Sequence, residues 1–211
     1  MPARRPLAAA ALMAVFAVGI LALGACSKRN VDSASMAQAD DMSLGDPRAK
    51  VEVVEYASAS CPHCARFAID VFPVFKAKYI DTGKVHFTLK EYLTEPQALA
   101  AAGFLMARCA GKDRYFPVLD AVFRGQEEMV RSGDVRGVMM RIATGPGGMT
   151  PVQLDACMRD MAAEKALAAR ADRHVHVDKI TSTPTFIING RRAEGEMTLP
   201  ELDAAIAKAA R

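Results

Sequence analysis

Cys61-Pro62-His63-Cys64 is the stretch on which the reading of this chain turns. Val51-Glu52-Val53-Val54-Glu55-Tyr56 precedes it, β-branched and apolar, and reads as a strand. Ala65 to Ile80 follows, with Phe67, Val71, Val74, Phe75 and Tyr79 near helical spacing. The two cysteines therefore stand at a strand-to-helix seam. Pro62 suits the first turn of a helix, where its missing N–H is not needed. That places Cys61 at a helix N-terminus, where unpaired amide N–H groups and the helix dipole favour a thiolate. His63 adds positive charge nearby. A lowered pKa makes Cys61 a nucleophile and a good leaving group, and it stabilises the reduced form. A disulfide at this pair gives itself up readily, so the motif reads as an oxidant.

A CxxC also serves zinc sites, so its context matters. Glu55 stands six residues upstream of Cys61 in an otherwise apolar strand. Far downstream comes Thr181-Ser182-Thr183-Pro184-Thr185-Phe186-Ile187-Ile188-Asn189-Gly190, a proline directly before a strand with a turn after it. In combination these features resemble the DsbA family of the thioredoxin superfamily, from Val51 to the C-terminus. The resemblance implies an α/β, thioredoxin-like fold with an inserted helical domain. It implies a redox-active disulfide between Cys61 and Cys64, with Glu55 accepting or relaying a proton for Cys64. It implies a cis bond before Pro184, with Thr183 and Pro184 holding the substrate backbone. Lys84 and Lys90 are both available as partners for Glu55. Some members carry a second, non-catalytic disulfide, and two free thiols persist poorly in an exported protein, so Cys109 and Cys157 are expected to pair. No cofactor and no metal is expected.

The domain boundaries follow. Residues 47–93 and 179–211 are the expected thioredoxin-like part, and residues 94–178 the helical insertion. Asp81-Thr82-Gly83-Lys84 is a turn before a second strand, Val85 to Tyr92, and a helical crossover makes that pair parallel. Pro73 should kink the intervening helix. In the insertion, Thr94 with Gln97 reads as a capping box, and Gly111 ends that helix. Further helices are expected over Arg114 to Arg124, from Asp134 to Ala143, after the Thr150-Pro151-Val152-Gln153 capping box, and from Met161 onward. His174 and His176 fall near a helix end, where a cationic histidine is ordinary. Arg192 to Glu196 should pair with Thr185 to Ile188, and Thr198 with Glu201 should cap a final helix, Leu199 to Ala209.

The N-terminus reads as an export signal. Met1 to Arg5 is basic, Leu7 to Leu23 is apolar, and small residues follow. Leu23-Gly24-Ala25-Cys26 resembles the lipobox of bacterial lipoproteins, with Cys26 as the lipidated residue. An ordinary secretory signal or a single membrane anchor are the alternatives. The apolar run is shorter than the ~20 residues a spanning helix needs. Residues 1–25 are thus a lipoprotein signal and residues 26–46 a polar, flexible tether. This places the protein in the periplasm, anchored to membrane by lipid. The net charge of +3 falls to +1 when Arg4 and Arg5 leave with the signal, which argues against nucleic-acid binding.

The functional expectation is an exported thiol:disulfide oxidoreductase that introduces disulfides into reduced or unfolded extracytoplasmic proteins. A membrane quinone-linked thiol oxidase would restore its disulfide, as the resemblance implies. A lipid-anchored reductase or isomerase is the alternative within the class. A soft-metal carrier holding copper through Cys61, Cys64 and a methionine is the alternative outside it.

Overall fold

The computed structural model describes residues 38–211. The expected signal segment, Cys26 and most of the expected tether lie outside the described residues.

Strand β2 (Val51–Ala57) lies at the centre of a five-stranded sheet whose order is β1 (Met42–Leu44), β3 (Val85–Glu91), β2, β4 (Thr185–Ile188) and β5 (Arg191–Glu194). It pairs in parallel with β3 and antiparallel with β4. The hairpin partner of β4 is β5, reached through Asn189 and Gly190, both with positive φ. Alternation along β2 divides the sheet between two faces. Val51, Val53 and Ala57 pack with Phe67, Phe75, Phe87, Phe104 and Phe186 in the main core, while Val54 and Tyr56 pack with Ile180 and Ile187 on the other side. Burying each of those phenylalanines contributes about 1.5–3 kcal/mol.

Helix α1 (residues 62–80) crosses from β2 to β3. Its α-helical pieces, Pro62–Arg66 and Phe72–Phe75, alternate with π-helical turns over Phe67–Val71 and Lys76–Ile80. Pro73 has no N–H to give the ladder, and the expected irregularity takes this form.

One strand lies inside the expected tether. Met42–Leu44 forms β1, antiparallel to β3, with Met42 opposite Leu89 and Leu44 opposite Phe87. Three residues are too few to show a period, and Met42 is held by the core it caps. The tether reading therefore fails from Met42 onward.

Between β3 and β4 run five helices: α2 (Gln97–Cys109), α3 (Lys112–Ser132), α4 (Val135–Thr144), α5 (Pro151–Met158) and α6 (Met161–His176). The final helix is α7 (Leu199–Ala209), closed by the Thr198–Glu201 capping box. Two details differ from expectation. The capping box at Thr94 does not form, because the Thr94 hydroxyl is taken by the hydroxyls of Ser58 and Ser60, each at 2.9 Å; Pro96 is the N-cap of α2 instead. Helix α3 runs well past Arg124, because Gly125 is a packing position and not a stop. A Cβ there would stand 3.0 Å from Val138 Cγ1, so its absence lets α4 close on α3.

A buried polar network ties the insertion to the sheet. Glu91, at the end of β3, accepts from Arg108 Nε at 2.6 Å, from Arg170 Nε at 2.9 Å and from Tyr115 Oη at 3.1 Å. Lys90 lies between Asp41 at 3.9 Å and Asp178 at 3.8 Å. His174 is fully buried and its Nδ1–H donates to the Glu91 carbonyl at 2.7 Å. Burial pushes its pKa down, so the expected cationic histidine is replaced by a neutral one.

Candidate active site

Cys61 is the N-cap of α1, with extended backbone (φ −82°, ψ 121°), and Pro62 occupies the first helical turn. Its N–H donates to the Ser58 carbonyl at 3.0 Å, and its carbonyl accepts from Ala65 N at 3.1 Å. Gln126 of α3 buttresses the same loop, donating to the carbonyl of Ala59 at 2.8 Å. Helix α2 comes close enough beneath it that a Cβ on Gly103 would meet Ala59 Cβ at 2.8 Å. The turn is thus held by the insertion as well as by the sheet.

Both cysteines are thiols here, and both are buried. Their environments push them apart. The Cys61 pKa falls to about 5, chiefly through hydrogen bonding from the Cys64 side chain; burial opposes the shift, and the Thr183 side chain and the backbone N–H groups of Cys64 and His63 add to it. In the thiol state Cys61 Sγ lies 3.5 Å from the Thr183 carbonyl oxygen, and the Thr183 hydroxyl is buried without a partner, available to a thiolate. The Cys64 pKa goes well up, because burial, the Cys61 sulfur and the nearby Glu55 all penalise a second charge.

Glu55 faces the main core from the middle of β2. Burial, then the charge of Cys61, raises its pKa to about 8. It lines a cavity of about 30 Å³ together with Phe72, Phe87, Leu89 and Asp120, a volume that admits a single water. Neither expected lysine is its partner. Glu55 is paired in register with Leu89, whereas Lys90 lies opposite Tyr56 and so shares the other face of the sheet. Lys84 belongs to the turn before β3 and is exposed.

The Thr183–Pro184 peptide is cis and sits beside Cys61. The Pro184 carbonyl accepts from Gly195 N at 2.9 Å, which fastens the proline loop to the turn after β5. Cys109 and Cys157 form a disulfide joining the ends of α2 and α5. Three residues that sequence reading passed over also belong to the site. Gln126 carried no signal, as an ordinary polar residue in a helix. Arg66 and Glu196 surround His63, and are 130 residues apart in the chain. Among the described residues, no group of three or more His, Cys, Asp or Glu is placed to hold a metal ion.

Comparison with known proteins agrees with this geometry. The family model described as thioredoxin matches residues 37–208. A Rickettsia bellii protein, named provisionally as a protein-disulfide oxidoreductase, is 34% identical over 171 residues, covering 81% of this chain and 64% of that one. The chain thus spans less than two thirds of the length of that relative. Among solved structures, α-DsbA1 of Wolbachia pipientis superposes with a TM-score of 0.74 at 24% identity, covering 85% of this chain and 96% of the other. Oxidised BdbD of Bacillus subtilis gives 0.71 at 21% identity, covering 81% and 92%.

Proposed function

Because this chain belongs to the thioredoxin family and carries the DsbA form of its fold, with helices inserted between β3 and β4, we propose that it is a thiol:disulfide oxidoreductase that introduces disulfides into exported proteins. The observation that carries the reading is the split between the cysteines: Cys61 drawn down to about 5, Cys64 driven up. A thiol that low leaves a mixed disulfide easily, and a reduced state so stabilised makes the disulfide an oxidant. A reductase shares the direction of the split but stabilises its thiolate far less, so its disulfide is the more stable state.

The exchange has two steps. A substrate thiolate attacks Cys61 Sγ of the Cys61–Cys64 disulfide. The S–S bond breaks, and Cys64 leaves with the electron pair. A free Cys64 thiolate is costly at this depth, so protonated Glu55 supplies its proton, directly or through a water in the adjoining cavity. In the second step another substrate thiolate attacks the substrate sulfur of the mixed disulfide, and Cys61 leaves as a thiolate. The substrate loses two electrons and the CPHC pair gains them. Thr183 and Pro184 are assigned to hold the substrate backbone beside Cys61. A membrane quinone-linked thiol oxidase would restore the disulfide.

Export and attachment complete the reading. The basic and apolar start of the chain and Leu23-Gly24-Ala25-Cys26 support secretion, with lipid carried on Cys26 and the globular part in the periplasm. Among the described residues, no helix is long and apolar enough to cross a membrane.

The test uses oxidised protein and a reduced peptide bearing two thiols. Disulfide should appear in the peptide as the protein dithiol accumulates, and Cys61→Ser should abolish the transfer. The opposite flow, with dithiol protein emptying a peptide disulfide and oxidised protein inert, would make the protein a reductase.

A further inference from the structure

Beside the CPHC turn, two side chains surround His63 that the exchange chemistry leaves unused. Arg66 lies one turn beyond His63 on α1. Its Nη2 is 2.6 Å from His63 Nδ1 and 2.9 Å from Glu196 Oε2, and its Nε is 2.9 Å from Glu196 Oε1. The arginine therefore grips the carboxylate with two parallel bonds. Glu196 Oε2 also lies 3.3 Å from His63 Nδ1. Glu196 sits between β5 and α7, next to Gly195, whose N–H holds the Pro184 carbonyl. One carboxylate thus joins the helix that bears both cysteines to the loop that bears the cis-proline.

These contacts compete. An arginine N–H only donates, so its contact with Nδ1 requires a lone pair on that nitrogen. A carboxylate only accepts, so its contact with Nδ1 requires a proton there. Nδ1 serves one neighbour at a time, while Glu196 keeps Arg66 in either case. Across the groove on α3, Arg131 pairs with Glu127 at 3.2 Å and Arg124 with Asp120 at 2.9 Å. Asp70, further along α1, adds only a weaker pull on Arg66. The cations next to Cys61 therefore answer chiefly to Glu196. In the reduced state the Cys61 thiolate becomes a second anion seeking the same cations, and Cys61 is among the charges that Arg66 feels.

We propose that Glu196 is a positioning residue of the exchange reaction: it draws Arg66 and His63 toward the loop after β5, withholds them from the Cys61 thiolate, and so keeps the couple less oxidising than the CPHC turn alone would make it. The inference rests on the thiol-exchange reading above. The side chains are partly exposed, 58% for His63, 53% for Arg66 and 32% for Glu196, so solvent screens the effect and keeps it small.

The experiment equilibrates wild type, Glu196→Gln, Arg66→Met and the double variant with glutathione redox buffers, and titrates the Cys61 thiolate by its ultraviolet absorbance. Glu196→Gln should shift the equilibrium toward the dithiol by roughly two- to fivefold, lower the thiolate midpoint, and lose its difference from wild type at high salt. The double variant should keep only the smaller part of the Glu196→Gln effect that runs through His63, because most of it runs through the arginine. No shift in Glu196→Gln, a shift toward the disulfide, or a full Glu196→Gln effect in the Arg66→Met background would each overturn the proposal. The wild-type potential reports separately on the oxidant reading, since the inference lives in the difference between variants.

Discussion

Replacing Glu55 by glutamine is expected to stabilise the dithiol protein at neutral pH by about 3 kcal/mol and, in the same molecule, to slow exchange through Cys64 by roughly a hundredfold. The stability gain follows from linkage. Glu55 keeps its proton in the folded protein up to about pH 8, whereas a glutamate in the unfolded chain releases it near 4.5. Between those values the native state binds the extra proton, so stability falls as pH rises through the window and levels off above the folded pKa. Each unit of that window costs about 1.4 kcal/mol. Glutamine has no proton to keep, so the variant should show no such decline. The loss of rate follows from the same carboxyl. On the proposed path, protonated Glu55 serves Cys64 as it leaves, and ionised Glu55 serves it as it attacks. These are the two directions of one transition state, so both should slow together. Displacement of Cys61 by a second substrate thiol should be spared. Denaturant unfolding across the pH window and stopped-flow exchange with a thiol peptide measure both effects. A variant less stable than wild type at neutral pH, or one with unchanged exchange through Cys64, would remove Glu55 from the proton path.

Removing the Cys109–Cys157 bridge by a double alanine substitution should cost up to about 4 kcal/mol, since it closes a loop with a sequence separation of 48. For a domain of this size that corresponds to a drop in Tm of roughly 8–16 °C. The bridge ties α2 to α5, and neither cysteine touches the CPHC turn. The Cys61 titration should therefore stay where it is. Gly103 gives the coupling a possible route, because α2 lies directly under Ala59. A thiolate midpoint that moves with loss of the bridge would show that α2 sets the geometry of the active-site loop. A stability change below about 1 kcal/mol would mean that packing among the helices already holds that loop closed.

What the sequence disclosed and what it hid divide along physical lines. Local signals were readable. The strand before Cys61, Pro62 at the helix start and the capping boxes at Thr150 and Thr198 all act within a few residues of chain. Register was not readable. Lys90 looked available to Glu55 until the pairing with β3 put it on the face of Tyr56. Tertiary competition was not readable either: Thr94 had a complete capping-box pattern, yet the hydroxyls of Ser58 and Ser60 hold it. The helix expected to end at Arg124 runs on through Gly125, because only the close crossing of α4 shows that this glycine is a packing position. His174 belonged by position to a helix C-terminus, and only the packing of α6 on β3 made it a buried, neutral donor. Within the site, the CPHC pair and Glu55 were legible from one strand-to-helix seam. Arg66 and Glu196 were not, because their contact joins segments 130 residues apart.

Oxidant chemistry at this pair rests on a Cys61 thiolate stabilised by its turn, and one titration tests that most directly: thiolate absorbance of the dithiol protein against pH, referenced to the disulfide form. The structure places the midpoint at about 5, with Cys64 contributing nothing until far higher pH. A single early transition of one thiolate is the result expected. A midpoint near the ordinary cysteine value of about 8.5, or two thiols titrating together, would contradict the account, because an oxidant of this kind depends on the reduced state being the stabilised one.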